Sequence, residues 1–194
     1  MSRSLVVGAV LGAWFAVTTV GASYLLGAHV AGLPLPSRDD ARLRAAVRAR
    51  LAGRPLALHV LGSDCECSRR VLARLEARPP RPDVDERLLL IGGDAETRSA
   101  SRQLERLGYS IERLEPDEVA AGIGVEVAPV LIVAGASAEI LYLGGYSERR
   151  QDARIETDTL IDTALSGGSA EALPVFGCAV TEGMRAGVDP WSLR

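Results

Sequence analysis

The chain has 194 residues, 22 basic and 25 acidic side chains, and a formal net charge of −3. That length suits a membrane anchor plus one domain of ordinary size, and the charge balance lacks the basic footprint that nucleic-acid binding leaves. Every basic side chain is arginine, scattered as on solvated helix faces.

Residues 4–37 contain no Asp, Glu, Lys or Arg. Within them, residues 5–26 are mostly apolar and long enough to cross a bilayer as a helix, with Trp14, Phe15 and Tyr24 adding aromatic character. Gly8 and Gly12 have the spacing that lets two helices pack closely, so a weak homodimer through the anchor is one reading of them. The other is the ordinary abundance of glycine in such segments. The apolar run exceeds the roughly 7–15 residues of a cleaved signal, and residues 28–32 make a poor cleavage site. The expectation is an uncleaved, single-pass anchor in the cytoplasmic membrane. Arg3 alone precedes it, whereas Arg38, Arg42, Arg44 and Arg48 follow. The arginine count would hold the domain inside. The short N-terminal tail, like that of a signal anchor, and the thiol pair below place it instead on the periplasmic side.

Beyond a stiff Gly-Leu-Pro-Leu-Pro exit, residues 39–52 read as a helix, with Leu43, Val47 and Leu51 four apart on one face. A strand is expected at 56–61, a helix at 68–77 stopped by Pro79 and Pro80, and an apolar strand at 88–91. A helix follows at 95–107, then a strand at 110–114 and a short helix at 117–122. Residues 129–133 and 139–143 form a hairpin around small residues, and a last helix spans 156–165. This order predicts an α/β domain with a mixed sheet flanked by helices. The divisions are an anchor and exit at 1–36, a linker helix at 37–54, the domain at 55–168 and a tail at 169–194.

Chemistry concentrates at Cys65-Glu66-Cys67, where the first strand gives way to a helix. A helix N-terminus there would stabilise a thiolate. A Cys65–Cys67 bridge conflicts with a regular helix, because residues two apart point to opposite sides. Cys65 in the turn before the helix would permit a strained bridge, which is readily reduced. Asp64 and Glu66 oppose a thiolate, whereas Arg69 and Arg70 favour it. Redox exchange, metal binding and an inert pair all stay open. Cys178, the third cysteine, would resolve a mixed disulfide, join a metal site or simply be a buried apolar group. His59 is either a satisfied core histidine or a third ligand for Cu(I) beside Cys65 and Cys67. No other cofactor is expected.

The two cysteines after the first strand, and Pro129 opening the hairpin in Val127-Ala128-Pro129-Val130, resemble the thioredoxin-like fold over residues 56–165. The resemblance implies that Pro129 holds the cis-proline position beside the cysteines, in a loop that offers its backbone to an extended peptide. Leu141-Tyr142-Leu143-Gly144-Gly145-Tyr146 and Pro174-Val175-Phe176-Gly177-Cys178 are similar to a bacterial group of membrane-anchored thioredoxin-like proteins labelled RedB. In that group proline stands where this chain has Glu66. The superfamily's usual motif has two residues between its cysteines and this chain has one, so ordinary thioredoxin activity is not carried over. The implied function is thiol–disulfide exchange with protein thiols or disulfides, with Cys65 as the accessible nucleophile, Cys67 resolving and Pro129 shaping the groove. A copper-delivery module and a redox-inactive adaptor are the alternatives.

Overall fold

A computed structural model describes residues 3–30, 32–93, 95–149, 155, 157–167 and 171–188. Glu156, expected to open the last helix, and residues 169–170 and 189–194 of the tail lie outside them. The chain divides into two units, Met1–Ala31 and Gly32–Arg194.

The first unit is one helix, α1 (Arg3–Val30). At 1.5 Å per residue its 28 residues reach about 40 Å, more than the roughly 30 Å of a hydrocarbon core. The stretch Val6–Tyr24 is apolar enough to span a membrane. The Thr18 hydroxyl is satisfied locally, its Oγ1 lying 3.0 Å from the Trp14 and Phe15 carbonyls to which it donates.

The second unit opens with α2 (Ala41–Arg50). Asp40 caps it, its carboxylate accepting from the Arg42 and Leu43 N–H groups at 2.9 and 3.1 Å. There follow β1 (Leu56–Gly62), α3 (Glu66–Glu76), β2 (Asp85–Ile91), α4 (Ala95–Leu107), β3 (Ser110–Leu114) and α5 (Pro116–Gly122). Then come β4 (Val127–Ala128), β5 (Val130–Ala134), β6 (Ile140–Gly144), α6 (Thr157–Leu165), β7 (Cys178–Ala179) and α7 (Glu182–Val188).

Five strands form a sheet in the order β3-β2-β1-β5-β6. β1 runs parallel to β2 and antiparallel to β5, and β2 parallel to β3. The mixed sheet flanked by helices is the α/β arrangement expected from the sequence. β1 is buried along its whole length, as a central strand covered on both faces must be. Its alternation divides the core: Leu56, Leu58 and Val60 pack with α2 and α5 residues, Ala57 and Leu61 with residues of α3, α4 and α6. Tight turns suit their residues, as where Gly108 at φ +100° ends α4.

The compact unit is wider than residues 55–168. Leu43 and Val47 are buried in the same cluster as Val119 and Ile123, so residues 37–54 belong to the core rather than linking to it. Four-residue spacing buries one face of α2, and that face needs a partner. The tail is also built in: β7 pairs antiparallel with β4, and Val175 bridges to Leu33.

Candidate functional site

The site lies at the C-terminal end of β1, where two separate stretches of chain bring three cysteines together. Cys65 is the N-cap of α3, with extended backbone at φ −103° and ψ 115°. Cys67 follows in the first turn. Cys178 comes from 111 residues further on, placed directly across from Ala128 by the β4–β7 ladder. The Ala128–Pro129 bond is cis. None of the three cysteines is in a disulfide.

Cys65 is the hub. As a thiol it donates to the Ala128 carbonyl at 3.5 Å. Its pKa is nonetheless held far below the ordinary 9.0, chiefly by hydrogen bonds from the Cys178 and Cys67 thiols. Burial opposes this, and the Ser68 N–H and hydroxyl add to the lowering. Ser68 is itself positioned by the Gly62 N–H, which donates to its Oγ at 3.0 Å. The end of α3 contributes in the same direction through its dipole. A thiolate at Cys65 is therefore the favoured state at neutral pH. Of the two acids that adjoin Cys65 in sequence, Glu66 is turned to Arg69 at 2.7 Å.

The expected accessibility of Cys65 is overturned. It is only 1% exposed, whereas Cys67 and Cys178 are half-buried. The cause is the tail, since a position before a helix is open only while nothing packs on it. Here β7 runs over the turn, and Ala128, Val180 and the Cys65 Cβ crowd around Gly62. Cys67 faces a cleft that it shares with Arg70, Pro129, Tyr146 and Phe176.

His59 goes elsewhere. It is fully buried in β1, its Nδ1 lying 2.9 Å from the Tyr146 hydroxyl and its Nε2 3.6 Å from Glu86 Oε1. Glu86 accepts from Arg78 at 2.7 and 2.8 Å and from the Arg81 N–H at 2.7 Å. Burial would raise the Glu86 carboxyl, but Arg78 and His59 outweigh it and hold the pKa well below the ordinary 4.5. The Tyr146 hydroxyl donates to the Val130 carbonyl at 3.3 Å, which leaves its oxygen to face Nδ1 as an acceptor. The copper set of Cys65, Cys67 and His59 is thus not assembled. Among the described residues no three of His, Cys, Asp and Glu are placed to hold a metal ion.

Sequence reasoning missed Tyr146, Phe176 and Ser68 at the site. Ser68 was findable as the third residue of a helix capped by Cys65. The other two meet Cys67 only through the tertiary fold.

No known family model matches this chain, and no curated protein does. Several solved structures are similar to it. A secreted disulfide oxidoreductase from Mycobacterium tuberculosis shares 16% identity at a TM-score of 0.45, over 66% of this chain and 98% of that one. A thioredoxin-like protein in its oxidised form shares 7% identity at a TM-score of 0.49, over 72% and 97%. A hypothetical protein from Sinorhizobium meliloti shares 17% at a TM-score of 0.47, over 66% and 79%. The chain is thus similar, in fold alone, to proteins that include thioredoxin-like and disulfide-oxidoreductase structures.

Proposed function

We propose that this protein carries out thiol–disulfide exchange with protein partners, entering through Cys67 and resolving through Cys65. The observation that carries the reading is the convergence of the three thiols at the N-terminal end of α3, with Cys65 capping the helix, Cys67 in its first turn, and Cys178 opposite Ala128, whose carbonyl Cys65 Sγ meets at 3.5 Å. Cys67, the more exposed of the adjacent pair, attacks one sulfur of a partner disulfide and expels the other as a thiolate. The Cys65 thiolate then attacks Cys67 Sγ, closing Cys65–Cys67 and releasing the partner's second thiolate. Two electrons pass to the partner, and its two thiols take one proton from Cys67 and one from solvent.

The reverse direction uses the same atoms, and the electrostatics bias it. A stabilised Cys65 thiolate is a good leaving group, so a disulfide that includes Cys65 is readily reduced and oxidising. Pro129 and Phe176 wall the cleft in which the partner's sulfur meets Cys67.

In this reading α1 is a single-pass anchor in the cytoplasmic membrane, the domain sits on its outer side, and the protein is of the RedB type. The apolar stretch Val6–Tyr24 supports the anchor. Labelling intact cells with a membrane-impermeant thiol reagent, before and after reduction, tests the side.

The exchange itself is tested by Cys65→Ser, which removes the resolving thiol and leaves Cys67 able to attack. The variant should accumulate a mixed disulfide with a partner protein, reversible by dithiothreitol and mapped to Cys67 by mass spectrometry. If Cys65→Ser traps no partner and all the thiols of the unmodified protein survive strong oxidant, exchange is ruled out.

A further inference from the structure

We propose that Cys65 is a relay thiol passing one disulfide between two mouths, so that one partner is served at Cys67 and a second, different one at Cys178. The inference rests on the exchange reading above and extends it. Two clefts adjoin the cluster. Cys67, Pro129 and Phe176 line one, and Cys65, Cys178 and Arg185 line the other, with Asp64 beside them. The clefts share no lining residue. The segment 176–180, with β7 at its centre, gives Phe176 to the first cleft and Cys178, Ala179 and Val180 to the second, so it is the partition between them.

That partition is fixed. The Val180 N–H donates to the Glu126 carbonyl at 2.9 Å, Thr181 Oγ1 to the Glu126 carboxylate at 2.6 Å, and the Leu33 N–H to the Val175 carbonyl at 2.8 Å. Gly177 sets how close it comes. A Cβ there would fall into the Ala128 carbonyl oxygen and lie 2.7 Å from Pro129 Cδ. Only glycine lets the backbone approach far enough to seat Cys178 opposite Ala128 and its thiol on Cys65. Cys178 is therefore a stationary thiol of the domain, opening onto a cleft of its own, rather than a thiol on a loose tail.

The transfer moves a bond without net oxidation. Starting from Cys65–Cys67, the Cys178 thiolate attacks Cys65 Sγ, Cys67 leaves as a thiolate, and the proton lost by Cys178 ends on Cys67. The product is Cys65–Cys178. A protein dithiol at the second mouth then attacks Cys178 Sγ, and Cys65 leaves as the thiolate that Cys67 and Ser68 stabilise. The second thiol of that dithiol closes its own disulfide and releases Cys178. Two electrons thus travel from a protein dithiol at the Cys178 mouth to a protein disulfide at the Cys67 mouth.

The test treats the reduced, full-length protein in detergent with an equimolar amount of dithiodipyridine, quenches in acid, alkylates and maps disulfides over time. Cys65–Cys67 should form first and convert to Cys65–Cys178 while total disulfide stays constant. Cys178→Ser should stop at Cys65–Cys67. Gly177→Ala should slow the conversion about tenfold relative to the first step, because the added methyl must push the strand outward. A Cys65–Cys67 disulfide that persists in the unmodified protein overturns the relay, and that time course decides even if Gly177→Ala does not fold. Failure to form Cys65–Cys67 at all would instead contradict the exchange reading on which the relay rests.

Discussion

Two buried polar clusters flank β1, and they differ in what they leave open. At Glu86 the charge is enclosed: two Arg78 nitrogens and the Arg81 N–H satisfy the carboxylate, Arg78 reaches Asp158 at 2.9 Å, and His59 ties in Tyr146. At Cys65 the charge is held by thiols that themselves line clefts. Both groups have strongly lowered pKa values. Only one of them has reactive neighbours within reach of a visitor. A perturbed ionisable group is thus a site when its partners can be exchanged, and a structural device when they cannot.

The contrast breaks most sharply under Cys65→Ser. Turnover of a model protein disulfide should fall by at least about a hundredfold, the order seen when a nucleophile is removed, and the pH-dependent stability that the Cys65 thiolate supplies should vanish with it. Glu86→Gln should spare the chemistry. It leaves Arg78 without its main partner, and breaking a buried pair costs about 3–5 kcal/mol, read as a lower midpoint in chemical denaturation with exchange chemistry retained.

The pH dependences separate the clusters next. Both folded pKa values are depressed, so each group stabilises the fold above its ordinary pKa, and that stability is lost as pH falls through the folded value. For Glu86 the loss begins below about pH 4.5 and deepens with further acid. Glu86→Gln should flatten the stability profile there and nowhere else. For Cys65 stability climbs with pH up to the ordinary thiol range near 9.0. The resolving step should accordingly be nearly flat from about pH 5 to 8, where an ordinary thiol with a pKa of about 8.5 loses roughly tenfold per unit. A rate that falls tenfold per unit in that range would contradict the stabilised thiolate.

The smallest effect belongs to Arg69. It bonds Glu66 on the surface at 2.7 Å, and exposed pairs of this kind contribute about 0–1 kcal/mol. Arg69→Ala should shift stability by less than about 0.5 kcal/mol and leave the Cys65 profile unmoved. A clear rise in the Cys65 pKa would show that arginine, rather than the neighbouring thiols and Ser68, sets it.

Much of this architecture is legible in the sequence, and the rest is not for definable reasons. β1, α3, β2, α4 and the β5–β6 hairpin announce themselves through apolar runs, helical spacing and Gly or Pro stops. β4 and β7 are two residues each, too short for any period, and exist only because they pair with one another. That pairing decides the accessibility of Cys65, so a local reading of the turn made the most buried of the three thiols the most exposed. His59 shows the same dependence: its partners, Glu86 and Tyr146, are fixed by strand register and by a residue 87 positions away. The cysteine cluster was foreseeable as residues, but not as a geometry.

The most direct measurement equilibrates the full-length protein in glutathione buffers of graded potential, then traps thiols by acid and alkylation for mass mapping. The account predicts a two-electron transition in which Cys65 is always one member of the disulfide, at a potential toward the oxidising end of the thioredoxin-like range. Three thiols that stay reduced across the whole range, or a disulfide that excludes Cys65, would contradict it.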